Sequence, residues 1–78
     1  MNLYVYTVHD AVVGAYGTPF FTMKEGYAKR AMIDGYQNRG QHNDFVLYFL
    51  GVFDTDSASF ASAPTPVRVC SLFDLIGV

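Results

Sequence analysis

The chain has 78 residues and a single cysteine, which leaves room for one domain, residues 1–78, and none for an intramolecular disulfide. Apolar residues make up 51% and charged residues 15%. The net charge of −2 and isoelectric point near 5.4 exclude a strongly basic, charge-driven nucleic-acid binder.

Residues 3–8 read as a strand rich in aromatic and β-branched side chains. Leu3, Val5 and Thr7 share one face and Tyr4, Tyr6 and Val8 the other. A strand apolar on both faces is central, or is covered by a second subunit. His9-Asp10-Ala11 reads as a turn into a second short strand, residues 12–16, giving an antiparallel hairpin. Gly17-Thr18-Pro19 breaks the pattern, with Pro19 at a strand start or edge. Phe20 and Phe21 then enter the core.

Thr22-Met23-Lys24-Glu25 has the form of a capping box, so a helix is expected from there to about Asn38, stopped by Gly40. Tyr27, Ala28, Ala31, Met32, Gly35 and Tyr36 fall at helical spacing as its apolar stripe, and Glu25 with Lys29 forms an i,i+4 pair. Gly35 in that stripe suggests close packing of helix on sheet. Residues 45–53 are the strongest strand, with Phe45, Leu47 and Phe49 on one face, Val46, Tyr48 and Leu50 on the other, and a bulge at Gly51. A loop over residues 54–59 follows. Phe60-Ala61 begins a return strand, Ala63-Pro64-Thr65-Pro66 forbids regular pairing, and residues 67–70 resume it. Ser71 caps one helical turn over residues 72–76. The expected fold is α+β: a small antiparallel sheet of four to five strands against one central helix, closed by a short C-terminal helical turn.

No arrangement of residues signals catalysis. His9-Asp10 are adjacent on a turn, where they do not orient one another, and no activated nucleophile accompanies them. Two distant histidines and Cys70 make no zinc site, and Asp54-Thr55-Asp56 lacks the glycine and glutamate of a calcium loop. No cofactor, metal or enzymatic activity is expected. Cys70 reads as a small buried hydrophobe and His42 as a solvated loop side chain whose functional alternative is a phosphate contact. Gly14-Ala15-Tyr16-Gly17 reads as a bend. The opening residues have neither a basic n-region nor a cleavage site, and the longest uncharged stretch is too short to span a bilayer, so a soluble, cytoplasmic protein without membrane contact is expected.

So few charges leave apolar surface exposed on a lone copy, which points to a homo-oligomer, most simply a two-fold dimer. Four of the five basic residues, Lys24, Lys29, Arg30 and Arg39, lie in one segment. With Tyr4, Tyr6 and Tyr48 as stacking platforms, they form a candidate surface for single-stranded nucleic acid. The rival reading is a protein-interaction factor that uses the apolar strand faces and the turn bearing Phe73 and Leu75.

Several segments in order resemble the small nonstructural proteins of gokushovirus-type microviruses, bacteriophages with single-stranded DNA genomes. They are Leu3-Tyr4-Val5-Tyr6 leading to His9-Asp10, Pro19-Phe20-Phe21 running into Gly26-Tyr27-Ala28-Lys29-Arg30, the run from Asp44 to Asp54, and Pro66-Val67. Where that family commonly carries a Thr-Gly turn after Asp54, this chain has Ser57-Ala58-Ser59. The resemblance implies a non-enzymatic role outside the virion, in the host cytoplasm, in replicating or packaging single-stranded DNA. A phage capsid or replication protein is the implied alternative partner.

Overall fold

The structure, a computed structural model, describes residues 1–77. The order is β1 (Asn2–Asp10), β2 (Ala15–Tyr16), β3 (Phe20–Thr22), α1 (Glu25–Tyr36), a 3-10 turn (His42–Asp44), β4 (Phe45–Asp54), β5 (Phe60–Ser71) and α2 (Leu72–Ile76). The fold is α+β. All pairings are antiparallel, in the order β2-β1-β4-β5, and β3 continues along the same edge of β1 as β2.

The alternation of β1 decides what lies on each face. Tyr6 and Val8 point toward the helices and join Ala28, Met32, Phe45, Leu47, Cys70 and Leu72 in one buried cluster. Val5, Thr7 and His9 point to the other, outer face, because residues paired across strands share a side. Cys70 is buried, as its apolar strand context predicts, and burial raises its thiol pKa.

Gly51 does mark a bulge. Val5 pairs with Gly51 but Tyr6 with Phe49, so Leu50 is the extra residue. A Cβ at Gly51 would lie 2.5 Å from the Ala61 carbonyl oxygen, closer than a side chain tolerates. The insertion reverses the alternation beyond it. Strict period two would group Phe53 with Phe45, Leu47 and Phe49; instead Phe53 lies on the outer face, against Phe21 with ring centroids 5.9 Å apart. On the other side of β4, Phe49 pairs with Val67 and Gly51 with Ser62, so the Ala63–Pro66 stretch bows out, where its two prolines need no partner.

Several expectations are corrected. The second hairpin strand is only Ala15–Tyr16, and Val12 and Val13 are exposed in the turn. There the Asp10 carboxylate accepts from both valine N–H groups and holds them out of the ladder. Phe20 packs against the core, but Phe21 is 55% exposed on the outer face. The capping box does not form: Thr22 is held in β3 opposite Tyr4, and Lys24 occupies the N-cap without a side-chain bond. The helix is rotated from the expected stripe, with Ala28, Met32, Ile33 and Tyr36 facing in while Tyr27, Ala31 and Gly35 face out. Nothing lies within 4 Å of a Cβ at Gly35, so that glycine marks no close approach.

α2 forms as read from the sequence. The Ser71 hydroxyl accepts from the Asp74 N–H at 3.0 Å, and the Asp74 carboxylate accepts from the Ser71 N–H at 2.9 Å. Those bonds, with Arg68 close by, hold the Asp74 carboxyl below the usual carboxylate range. Leu72 is fully buried while Phe73 remains half-exposed. No helix among the described residues is long and apolar enough to cross a membrane.

Candidate functional site

Of the seven residues proposed from sequence, Tyr4, Tyr6 and Lys24 line one depression, and the seven do not form a single surface. Tyr6 is 3% exposed beneath α1, so its ring offers no stacking surface, and burial followed by the nearby Glu25 carboxylate raises its hydroxyl pKa. Tyr4 is half-buried on the same face, lining a shallow depression with Met23, Lys24 and Glu25. Lys29 pairs with Glu25 at 3.5 Å, and Arg30 is exposed further along α1. Arg39 lies past the far end of the helix, its guanidinium 4.7 Å from the Tyr36 ring centroid. Tyr48 is on the opposite face of the sheet from Tyr4 and Tyr6, as its pairing with Thr7 requires.

What the fold does assemble is an aromatic row on the outer face. Tyr16 of β2 packs edge-on against His9 of β1 with centroids 4.6 Å apart, and against Tyr48 of β4 at 5.4 Å. His9 and Tyr48 complete the triangle at 6.2 Å. These separations and steep interplanar angles fall within the favourable edge-to-face range. One guanidinium stands at the end of the row. Arg68 of β5 pairs with Tyr48 in register, whereas Arg39, stacked on Tyr36, lines a depression with Val8 on the helix side of the β2 edge. Arg68 reaches Asp74 at 3.5 Å, but both groups are about half exposed, and such a pair is weak and open to exchange. Tyr16 itself is half exposed, with ring surface available above the sheet.

Sequence reasoning passed over Arg68 because it stands apart from the basic segment, and over His9 because it was weighed only as a catalytic group. The usable signal was alternation: His9 and Thr7 share a face of β1, and the strongest strand places Tyr48 and Val46 together. The pairing register that aligns those faces is absent from any single segment.

Further along the outer face lies an apolar groove of about 560 Å³. Val5, Pro19, Phe21, Leu50, Phe53 and Phe60 line it, walled by the bowed stretch at Pro64 and Pro66. Its lining carries no charge, so it offers shape and apolar contact without orienting polar chemistry.

Two polar residues weighed for ligand chemistry serve structure instead. The Asp54 carboxylate accepts from the Asp56 N–H and the Ser57 hydroxyl, which lower its pKa, and it lies 3.8 Å from the amino terminus. His42 is not solvated freely: Nδ1 meets the Gly77 carbonyl oxygen at 2.5 Å and Nε2 the Gln37 carbonyl oxygen at 3.0 Å. With both nitrogens engaged, no ring N–H remains for a phosphate.

Comparison with curated proteins and with solved structures gives no match. A protein-family model does match, described as Phage ORF5 protein, over residues 3–75. That span includes every strand pairing but Asn2 with Asp54, the aromatic row, the groove and most of α2, and the chain belongs to the Phage ORF5 protein family.

Proposed function

We propose that this phage protein binds single-stranded DNA through the outer face of its sheet. It would act without catalysis, in the host cytoplasm, in replication or packaging of a microvirus-type genome. The supporting observation is the Tyr16–His9–Tyr48 row with Arg68 at one end. Bases of any identity stack on aromatic rings, each contributing about 1–3 kcal/mol, and the Arg68 guanidinium meets a flanking phosphate. Recognition is sequence-tolerant on this reading, because the row presents π surface and no fork of base-reading donors. The acidic net charge keeps affinity modest.

A titration of fluorescent oligothymidine at low and high salt tests this. Tyr48→Ala and Tyr16→Ala should each weaken binding by about 5- to 150-fold, the equivalent of that stacking energy. Replacing Arg68 by Gln should flatten the log–log salt slope by about 0.7, and Arg39→Gln, on the helix side, should leave it unchanged. Absence of binding at micromolar protein in low salt rejects the proposal. A larger loss from Lys24→Gln or Lys29→Gln than from the tyrosine variants would move the interface to the helix side.

The groove favours a second reading, a contact with protein: another copy of this chain in a homodimer, or a phage capsid or replication protein. Phe21 and Phe60 are each about half exposed there, and Phe73 on α2 adds apolar surface elsewhere. Light scattering of the wild type and of Phe21→Asp decides the dimer. A monomeric mass for both would leave only a different protein as occupant.

A further inference from the structure

Each ring nitrogen of His42 faces a carbonyl oxygen, Gly77 on Nδ1 and Gln37 on Nε2. A carbonyl oxygen only accepts. A neutral imidazole has one N–H, so it can satisfy one of these contacts and must turn a lone pair toward the other. Only the imidazolium donates both.

The two acceptors belong to the same kind of place. Gln37 is the C-cap of α1 and Gly77 the C-cap of α2. Both are ends where carbonyls lack intrahelical partners and where the helix dipoles concentrate negative potential. Neither helix has a basic residue in its own last turn. His42 arrives from outside both, on the 3-10 turn that leads into β4, and stands between them.

We propose that His42 is a proton-dependent clasp: as imidazolium it joins the C-terminal ends of α1 and α2, and on losing its proton it releases one of them. The end most easily released is that of α2, a single turn whose other end is fixed independently by the Ser71–Asp74 capping box. Release frays the turn at Leu75–Gly77 and opens the depression lined by His42, Asn43 and Phe73, while Leu72 stays in the core.

The charged groups around the clasp do not substitute for it. Asp74 of α2 is engaged by Ser71 and Arg68, and Arg68 is the charge that β5 contributes. Asp44 on the 3-10 turn has its own N–H bonded to the Gln41 carbonyl. On α1, Glu25 pairs with Lys29, while Arg30 and Asp34 are exposed; beyond the helix Arg39 lies over Tyr36. Among the described residues none of these forms an ion pair with the imidazole. In accord with this geometry, the hydrogen bonds to Gly77 and then Gln37 raise the His42 pKa above 6.5. A raised value makes the clasp's contribution complete below the unfolded-state pKa and lost as pH rises through the folded one.

Two measurements on the intact chain test the clasp. Nitrogen-detected NMR of the imidazole should show both nitrogens protonated while the clasp is closed, and deprotonation at a higher pH than in the urea-unfolded chain. Amide exchange, corrected for its intrinsic pH dependence, should show protection of the Gly77 N–H, which bonds the Phe73 carbonyl, falling over the same interval. By linkage, each unit of pKa elevation corresponds to a tenfold loss of protection. His42→Arg, a permanent double donor, should hold that protection flat with pH, and His42→Phe should abolish it at every pH while the sheet amides stay protected. Deprotonation at or below the pH seen in the unfolded chain, or the same pH profile in wild type and His42→Phe, overturns the proposal.

Discussion

The two faces of the sheet carry similar side chains and meet opposite fates. On the helix side Tyr6, Phe45 and Leu47 are closed beneath α1 and α2. On the outer side the same sheet presents Tyr16 and Tyr48, and further along Phe21, Phe53 and Phe60, with no second layer among the described residues above them. One helix of twelve residues and a single turn cover one face of a curled sheet and no more. Apolar composition therefore does not distinguish core from contact surface in a chain this small. The distinction comes from which side the helices dock.

Mutations that read that contrast as stability sharpen it most. Leu72→Ala or Met32→Ala, both at fully buried positions, should lower the unfolding free energy by about 2–5 kcal/mol. Phe21→Ala, at a half-exposed position, should cost well under half of that. Urea denaturation with an unchanged m-value is the measurement, and equal losses at the two positions would mean that the outer face is packed as tightly as the inner one.

The next effect concerns the device that sorts residues between the faces. Gly51→Ala forces a methyl against the Ala61 backbone and should cost about 1–3 kcal/mol. It should also disturb the pairing of Phe53 and Phe60, visible as chemical-shift changes confined to the distal half of the β4–β5 hairpin.

On the helix side, Ser71→Ala removes half of the α2 capping box and should cost about 1 kcal/mol. The depressed Asp74 pKa gives the matching acid dependence. Its contribution is present above the unfolded value of 3.8 and is lost as pH falls through the lower folded value. Asp74→Asn should remove that acid-dependent part from the denaturation curve.

The smallest effect lies at the rim of the outer face. Ala58 holds φ 60 in the β4–β5 turn, a left-handed conformation that costs a side-chain-bearing residue about 1 kcal/mol. Ala58→Gly should recover part of that, raising the melting temperature without altering oligonucleotide affinity.

Much of the fold was legible in the chain. Alternation in residues 3–8 and 45–50, the punctuation at Gly51, Pro64 and Pro66, and the serine before an apolar turn each act within a few residues, so each could be read locally. The helix start was misread because Thr22 has a choice between capping and strand pairing, and the partner that decides it, Tyr4, lies far away in sequence. The helix face was misread for a similar reason. Tyr27 and Tyr36 are both apolar at acceptable spacing, and only docking on β1 and β4 selects Tyr36.

The amino-acid sequence by itself determined the α+β class, the strand and helix content and a surplus of aromatic surface, because these follow from local periodicity and composition. Tertiary structure decided which aromatics form the exposed row, that Arg68 stands beside Tyr48, and that His42 meets two helix ends. Those relations depend on strand register and on the side the helix covers, and both are set by packing between residues distant along the chain.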